Sequence, residues 1–304
     1  MTSKRSADRL FSRHRMPVVK RALIRAGQAT ASQRVSLVAA GCAFYATLAL
    51  FPTITMLISL YGLVFNPDTV QPQLRYLEQF MPPAAFSLIS DRIQSLVAEP
   101  ARGLGLGFII SLLISLWSAS TGTKSVLNAL TLAYDEVDSR GIIEFQLVSL
   151  GMTLIAVLGA ALAISILVFI PIAVAFIGLS NYGAFLVAML SFVAMVGFVV
   201  TALGLLYRYG PAGTGRVFFA PGAALATFVW LLGSWGFGLY VGHFAAYDAT
   251  YGPLATLIGL MMWFYLTAYV VLLGAEVNAA LDAEWVREKV PPPQAAVQAA
   301  QPVK

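Results

Sequence analysis

The stretch "YVVLLGAEVNAAL", residues 269–281, places a carboxylate at the end of a long apolar run. No residue from Ala249 to Ala275 carries a charge; then comes Glu276, with Asn278 two positions on. An ionised carboxylate beside that much hydrocarbon costs free energy unless a partner compensates it. Arg208 and Lys124 each close another apolar run, and opposite charges at one depth offset each other's desolvation. Lys124 and Asn128 are four residues apart, so on a continuing helix they face one site. Glu276, Arg208, Lys124, Asn128 and Asn278 therefore form a candidate polar or ion-pair site. The plainer reading of Glu276 is a solvated carboxylate at a helix end.

A second set lies in "FGLYVGHFAAYDATYGPL", residues 237–254. His243, Tyr247, Asp248 and Tyr251 sit at the opposite end of the same apolar segments, and His243 with Asp248 could make a proton-linked pair. Tyrosines are also common interface anchors. Between these sets, "WSASTGTKSVLNAL" (117–130) is rich in hydroxyls. Ser118, Ser120, Thr121 and Thr123 suit hydrogen bonding across helices, or the lining of a polar cavity.

Several chemistries are excluded. The only cysteine is Cys42, so there is no intrachain disulfide and no CxxC metal site. The two histidines, His14 and His243, are far apart in sequence, and no HxxxH or HxH spacing exists. "GLGLGF" (103–108) and "YRYGPAGTGRVFFAPGA" (207–223) are glycine-rich, but no strand precedes the second and GK[ST] is missing. A lipid phosphate fits Arg208 and Arg216 better than a nucleotide does. No catalytic residue, metal or cofactor is expected, and the chain is read as not an enzyme.

The elements that position these residues follow from composition. The chain has 304 residues, 59% hydrophobic and 11% charged, and a mean hydropathy of +0.80. Soluble domains carry roughly a quarter charged residues, so the membrane class follows. A spanning helix needs about 20 apolar residues. Charge-free intervals predict six spans, near 37–60, 104–121, 146–170, 183–206, 218–241 and 254–275, with Pro52 kinking the first. Pro171, Asn181 and Gly183 break the long run between Glu144 and Arg208.

Of the nineteen Lys and Arg residues, nine lie in residues 1–34 and only Arg75, Arg92 and Arg102 fall on the side opposite the N-terminus. The positive-inside rule then puts both termini in the cytoplasm of a bacterial inner-membrane protein. Basic residues beside a membrane gain energy from anionic lipid, so membrane lipids, not nucleic acid, are the expected partners. Self-association stays open. "PVVKRALIRAGQA" (17–29) sets Val18, Val19, Leu23 and Ala26 against Lys20, Arg21 and Arg25, which predicts a helix lying on the inner face. In the outer segment 66–103, Leu88, Ile89, Ile93, Leu96 and Val97 fall at helical spacing and predict an amphipathic hairpin. The fold class is thus all-α: a six-helix membrane domain over 35–285, a basic N-terminus over 1–34, and a disordered Pro/Gln/Ala-rich tail over 286–304.

Five motifs carry a resemblance: "AFYATLALFP" (43–52), "LWSASTGTKSVLNAL" (116–130), "LYRYGP" (206–211), "FAPGAALATFVW" (219–230) and "YGPLATLIGLMMWFYLTAYVVLLGAEVNAAL" (251–281). Together, over about residues 30–285, they resemble the YihY/virulence factor BrkB family of bacterial inner-membrane proteins, long labelled ribonuclease BN. The last is the most specific, with Trp263 and the Leu-Gly-Ala-Glu ending at Glu276. Arg140-Gly141 departs from the Arg-Pro often found there. The resemblance implies a six-helix envelope protein, with translocation or export of lipid-like molecules among its suggested roles. A transporter of a lipid-like or small amphiphilic substrate is the favoured function. A non-transporting envelope scaffold, recruiting partners through segment 66–103, is the alternative. The ribonuclease label is disfavoured, because no metal-ligand cluster or catalytic His pair exists and the inner loops are short.

Overall fold

A computed structural model of the chain describes residues 16–30, 33–64, 106–176, 183–213, 220–242 and 253–289. Within a bilayer every backbone polar group must find a partner inside the protein, and helices satisfy that demand segment by segment. Among the described residues every regular element is an α-helix. They are α1 (Met16–Thr30), α2 (Gln33–Val64), α3 (Leu106–Ala133), α4 (Ile142–Phe176), α5 (Gly183–Tyr209), α6 (Ala220–Gly242) and α7 (Pro253–Lys289). Five of them, α2, α4, α5, α6 and α7, hold stretches long and apolar enough to cross a membrane. Six spans are expected from the sequence; α3 is the one outside this set. It has 28 residues, but its second half carries Ser118, Ser120, Thr121, Thr123, Lys124, Ser125 and Asn128. The expected hairpin at 66–103 lies outside the described residues, as does the tail expected over 286–304 except for 286–289, which are helical.

Two expected helix ends move. α3 does not stop near Thr121 but runs on to Ala133, where Asp135 takes φ 51°. There the Glu136 N–H donates to the Thr131 carbonyl (3.0 Å) and the Asp135 N–H to the Leu132 carbonyl (3.1 Å). That is the hydrogen-bond pair of a Schellman ending, with aspartate where glycine is commoner. α7 does not stop near Ala275 but continues to Lys289, since "AEVNAALDAEWVREK" is rich in helix formers. A change from apolar to polar side chains alters what a helix can face without ending it.

Around the bundle, α2 packs on α3, α3 on α4, α4 on α5, α5 on α6, and α6 on α7, which returns to α2 and carries α1. The shared core is Val35, Ala39 and Cys42 of α2, Ala129, Leu130 and Ala133 of α3, Tyr207 of α5, Ala223 of α6, and Leu272 and Ala275 of α7. All lie toward one end, which also carries Arg34, Arg140 and Arg208 and is called here the basic end. Small residues let the backbones approach: Gly122 of α3 lies against Ala49 of α2. The Thr123 and Thr153 hydroxyls, 2.7 Å apart, tie α3 to α4.

The tightest approach joins α6 to α7. A Cβ at Gly222 would run into the Gly274 carbonyl and Asn278, and one at Gly274 into the Tyr207 hydroxyl and Ala226. Tyr207 is 0% exposed, and its hydroxyl donates to the Val271 carbonyl at 2.8 Å. Gly222 is in the first turn of α6, where amides have no partner within the helix. Its N–H donates to the Asn278 Oδ1 at 2.8 Å.

Tight packing runs on along α2 and α3, where Ala49, Met56, Ala119 and Ser120 are buried, but ends beyond this level on α4 to α7. Among the described side chains, none is buried on α7 from Leu254 to Tyr269, on α6 after Thr227, on α5 before Gly204, or on α4 after Val157. Large apolar groups stand open there, with Trp235 at 70% and Phe185 at 68% exposure. In water such a surface would drive association; facing lipid it is stable.

Overpacking a tight contact costs roughly 1–3 kcal/mol. Gly274→Ala is therefore expected to lower the midpoint of thermal unfolding in detergent micelles. Gly259→Ala on the same helix, where an added Cβ meets nothing within 4 Å, should not. Equal midpoints for the two variants would show that the α6–α7 approach is not limiting.

Candidate functional site

The polar residues gather in three places. The first is the basic end of α7. Glu276 is half-buried, and Asp135 and Arg34 are the charges that act on it. Arg34 itself reaches Asp135 at 3.7 Å, with both side chains mostly exposed. Among the described residues no ion pair involves Glu276. The expected pairing with Arg208 or Lys124 is not formed: Arg208 lies over the ring of Tyr209 at 5.5 Å, and Lys124 over Trp117 at 5.2 Å. Asn278 is 0% exposed and serves the Gly222 amide.

Two turns beyond Glu276, Glu284 is the buried acid of this region, 6% exposed. Its carboxylate takes Arg25 at 2.6 Å and Arg21 at 3.5 Å. Arg21 and Arg25 are four apart on α1 and so share a face. Beside them Ala22 and Ala26 pack on Val277 and Leu281 of α7, and the Tyr269 hydroxyl donates to the Thr30 carbonyl at 2.9 Å. Helix α1 is therefore strapped to α7. Its apolar residues divide: Ala22 and Ala26 face the bundle, while Leu23 and Ile24 stay exposed. The signal for Glu284 was present, an acid one helical face along from Glu276 and two arginines at i,i+4, but nothing local says that these helices meet.

The second place is the pair of turns at residues 134–141 and 210–213. Arg140 donates from Nε and Nη2 to the Asp138 carboxylate at 2.9 and 2.8 Å, and from Nη1 to the Gly210 carbonyl at 3.2 Å. The Gly213 N–H donates to Glu136 Oε2 at 2.7 Å. These bonds tie the α3–α4 turn to the end of α5. The Arg140 hydrogen bonds hold Asp138 below the usual carboxylate range, and Asp138 in turn raises Arg140. Where Arg140-Gly141 replaces Arg-Pro, the arginine still anchors the turn.

The third is α3 itself. Trp117, Thr121, Lys124 and Asn128 follow the spacing i, i+4, i+7, i+11 and line one face. Trp117 is 57% exposed and Asn128 is exposed. Lys124 is not a boundary charge: it precedes Ala133 by nine residues, roughly 14 Å along the helix. Lys124 and Asn128 do share a face as expected, but Glu276 is elsewhere. His243, Tyr247, Asp248, Tyr251 and Arg216 lie outside the described residues. Among the described residues no three His, Cys, Asp or Glu come together as a metal-ligand set.

Comparison with known proteins finds relatives among membrane proteins. The sequence profile of the virulence factor BrkB family matches residues 26–299. A ribonuclease-like protein, YfkH, of Bacillus subtilis is 31% identical over 254 residues, 82% of this chain and 90% of the relative. A UPF0761 membrane protein of Pseudoalteromonas translucida is 35% identical over 135 residues, 43% of each chain. A UPF0761 membrane protein of Xanthomonas axonopodis is 41% identical over 80 residues, 26% of this chain and 19% of the relative. No solved structure matches the chain.

Glu284→Gln removes the charge that Arg21 and Arg25 share. Amide hydrogen exchange of residues 16–30 should quicken about tenfold, the equivalent of one charge-assisted hydrogen bond; unchanged exchange would show that apolar contacts alone hold α1. Asp138 has a lowered folded-state pKa, so its stabilisation is present at neutral pH and fades as pH falls below ~3.9. Asp138→Asn should therefore unfold more easily than the parent at pH 7 by about 1 kcal/mol, with the gap closing toward pH 3. A gap that persists unchanged in acid would mean the carboxylate charge is not its source.

Proposed function

The chain belongs to the virulence factor BrkB family, and on that premise we propose a six-span protein of the bacterial inner membrane that moves a lipid-like or small amphiphilic substrate. α3 is the sixth span. Both termini are cytoplasmic: the basic end takes the cytoplasmic side, in keeping with the nine basic residues of 1–34. α1 lies along the inner surface, its exposed Leu23 and Ile24 in the headgroup region and Lys20 beside them. The segment 66–103 faces the outside, and the chain beyond α7 faces the cytoplasm.

The observation that carries the reading is that burial stops part-way along each of α4, α5, α6 and α7. A bundle sealed at one end and loosely packed toward the other leaves apolar walls between its helices. A hydroxyl and an indole sit where the packing ends: Trp230 Nε1 donates to Thr267 Oγ1 at 3.2 Å. Apolar walls above polar groups suit a molecule with a tail and a headgroup. No nucleotide-binding motif occurs in the sequence, so movement is passive, ion-coupled or driven by a partner.

The ribonuclease-like name of the Bacillus subtilis relative is not extended to this chain, whose two histidines and short inner loops make no catalytic set or RNA platform. We read the protein as a carrier and not an enzyme.

Reconstitution into vesicles with a short-tailed fluorescent phospholipid tests this. Dithionite bleaches only dye in the outer leaflet. Bleaching that proceeds well past half of the dye is expected; arrest at half, as in protein-free vesicles, across a panel of amphiphiles would overturn the proposal.

A further inference from the structure

We propose that the face of α3 formed by Trp117, Thr121, Lys124 and Asn128, exposed at Trp117 and Asn128 and half-buried between them, binds the phosphate of a membrane lipid headgroup near the middle of the bilayer's thickness. The inference rests on the six-span arrangement above and deepens it by naming the headgroup class.

Three cross-links fix how α3 is turned. Ser125 meets Cys42 of α2, with Oγ 3.4 Å from Sγ; Thr123 meets Thr153 of α4; Leu130 packs beside Gly210 at the end of α5. The four-residue face points away from Thr123 and Leu130, and Ser125 borders it on the α2 side. Ile110, Leu113 and Ile114 are exposed along the same helix, so the neighbourhood of the face is lipid.

The same cross-links give the depth. Cys42 is eight residues up α2 from Arg34, and Thr153 eleven up α4 from Ile142, roughly 12 and 16 Å at 1.5 Å per residue. Half of a ~30 Å hydrocarbon core is the same distance. Lysine near a membrane surface usually snorkels to the closer interface. Side chains on a helix lean toward its N-terminus, which for α3 is the end remote from Arg34. Lys124 accordingly lies against Trp117, seven residues further from the basic end, and its ammonium is directed to mid-membrane.

A cation there needs an anion, and the helices do not supply one. Their acidic residues are Glu144, Glu276, Asp282, Glu284 and Glu288, all at the basic end. Among the described residues Lys124 forms no ion pair, and neither Thr121 nor Asn128 makes a side-chain hydrogen bond. A second copy packed about a two-fold axis would set Lys124 against its own mate with no acid at that depth. The phosphate of a lipid whose headgroup is drawn to this face matches the charge, with the Thr121 hydroxyl and Asn128 amide as further donors.

Native mass spectrometry of the full chain in detergent micelles tests the site, with phosphatidylglycerol or the phosphate-free diacylglycerol of the same chains added. The parent and Lys124→Arg should retain phosphatidylglycerol, and Lys124→Gln should retain about tenfold less, one charge-assisted contact's worth. Diacylglycerol should be lost by all three. Lys289→Gln at the far end of α7, thirteen residues past Glu276, controls for charge in general and should bind as the parent does. Equal retention by Lys124→Gln, retention of diacylglycerol, or a parent dimer that Lys124→Gln dissociates would each overturn the proposal. Should Lys124→Gln fail to fold, Asn128→Leu provides the second reading, expected to lose about threefold; no loss overturns the site. The vesicle assay reads movement separately: phosphate-dependent binding without bleaching past half overturns translocation and upholds the site.

Discussion

Everything at the basic end depends on how closely the backbones of α6 and α7 approach. Helices in lipid gain little by hiding apolar surface from one another, because lipid tails are as apolar as leucine. Association must come from close packing and from polar groups that have no better partner. Gly222 and Gly274 supply the first by having no side chain at the crossing. Asn278 and Tyr207 supply the second, one accepting an orphan amide of α6 and the other donating to an α7 carbonyl. Because Tyr207 belongs to α5, the one crossing assembles three helices.

The remaining contacts reinforce that end and leave the other free. Glu284 straps α1 to the prolonged α7. Arg140 and Glu136 bind the α3–α4 turn to the end of α5. Each of these interactions uses a charge in or beside water, where carrying one costs least. Lys124 breaks that pattern by standing about ten residues above the level of the other charges. Its ammonium lies over an indole face, and among the described residues it forms no ion pair. A residue that breaks an otherwise consistent rule is where function is best sought.

The helices were legible because 20-residue apolar runs separated by charges have one stable form in a bilayer. Their ends were less so. A lysine reads as a boundary, yet α3 carries Lys124 in its interior and ends instead at Asp135, where the backbone turns left-handed. Glu276 read as the end of a span, yet α7 continues for thirteen residues past it. In both cases local charge was taken for depth, while the capping hydrogen bonds that stop a helix depend on backbone geometry.

Sequence alone determined the class, the all-helical form, the family and the gathering of basic residues beside one end, since each follows from composition and order along a single segment. Partner choice was decided only by the fold. Glu276 and Glu284 are eight residues apart on one helix, yet only Glu284 forms ion pairs with arginines among the described residues, because Arg21 and Arg25 of α1 reach its turn of α7. Asn278, first read as part of an ionic site, turned out to serve an amide 56 residues away. An ion pair or a cap forms between helices, and which helices touch is a property of the packed bundle, where backbone spacing at a few glycines selects among contacts the sequence leaves equally open.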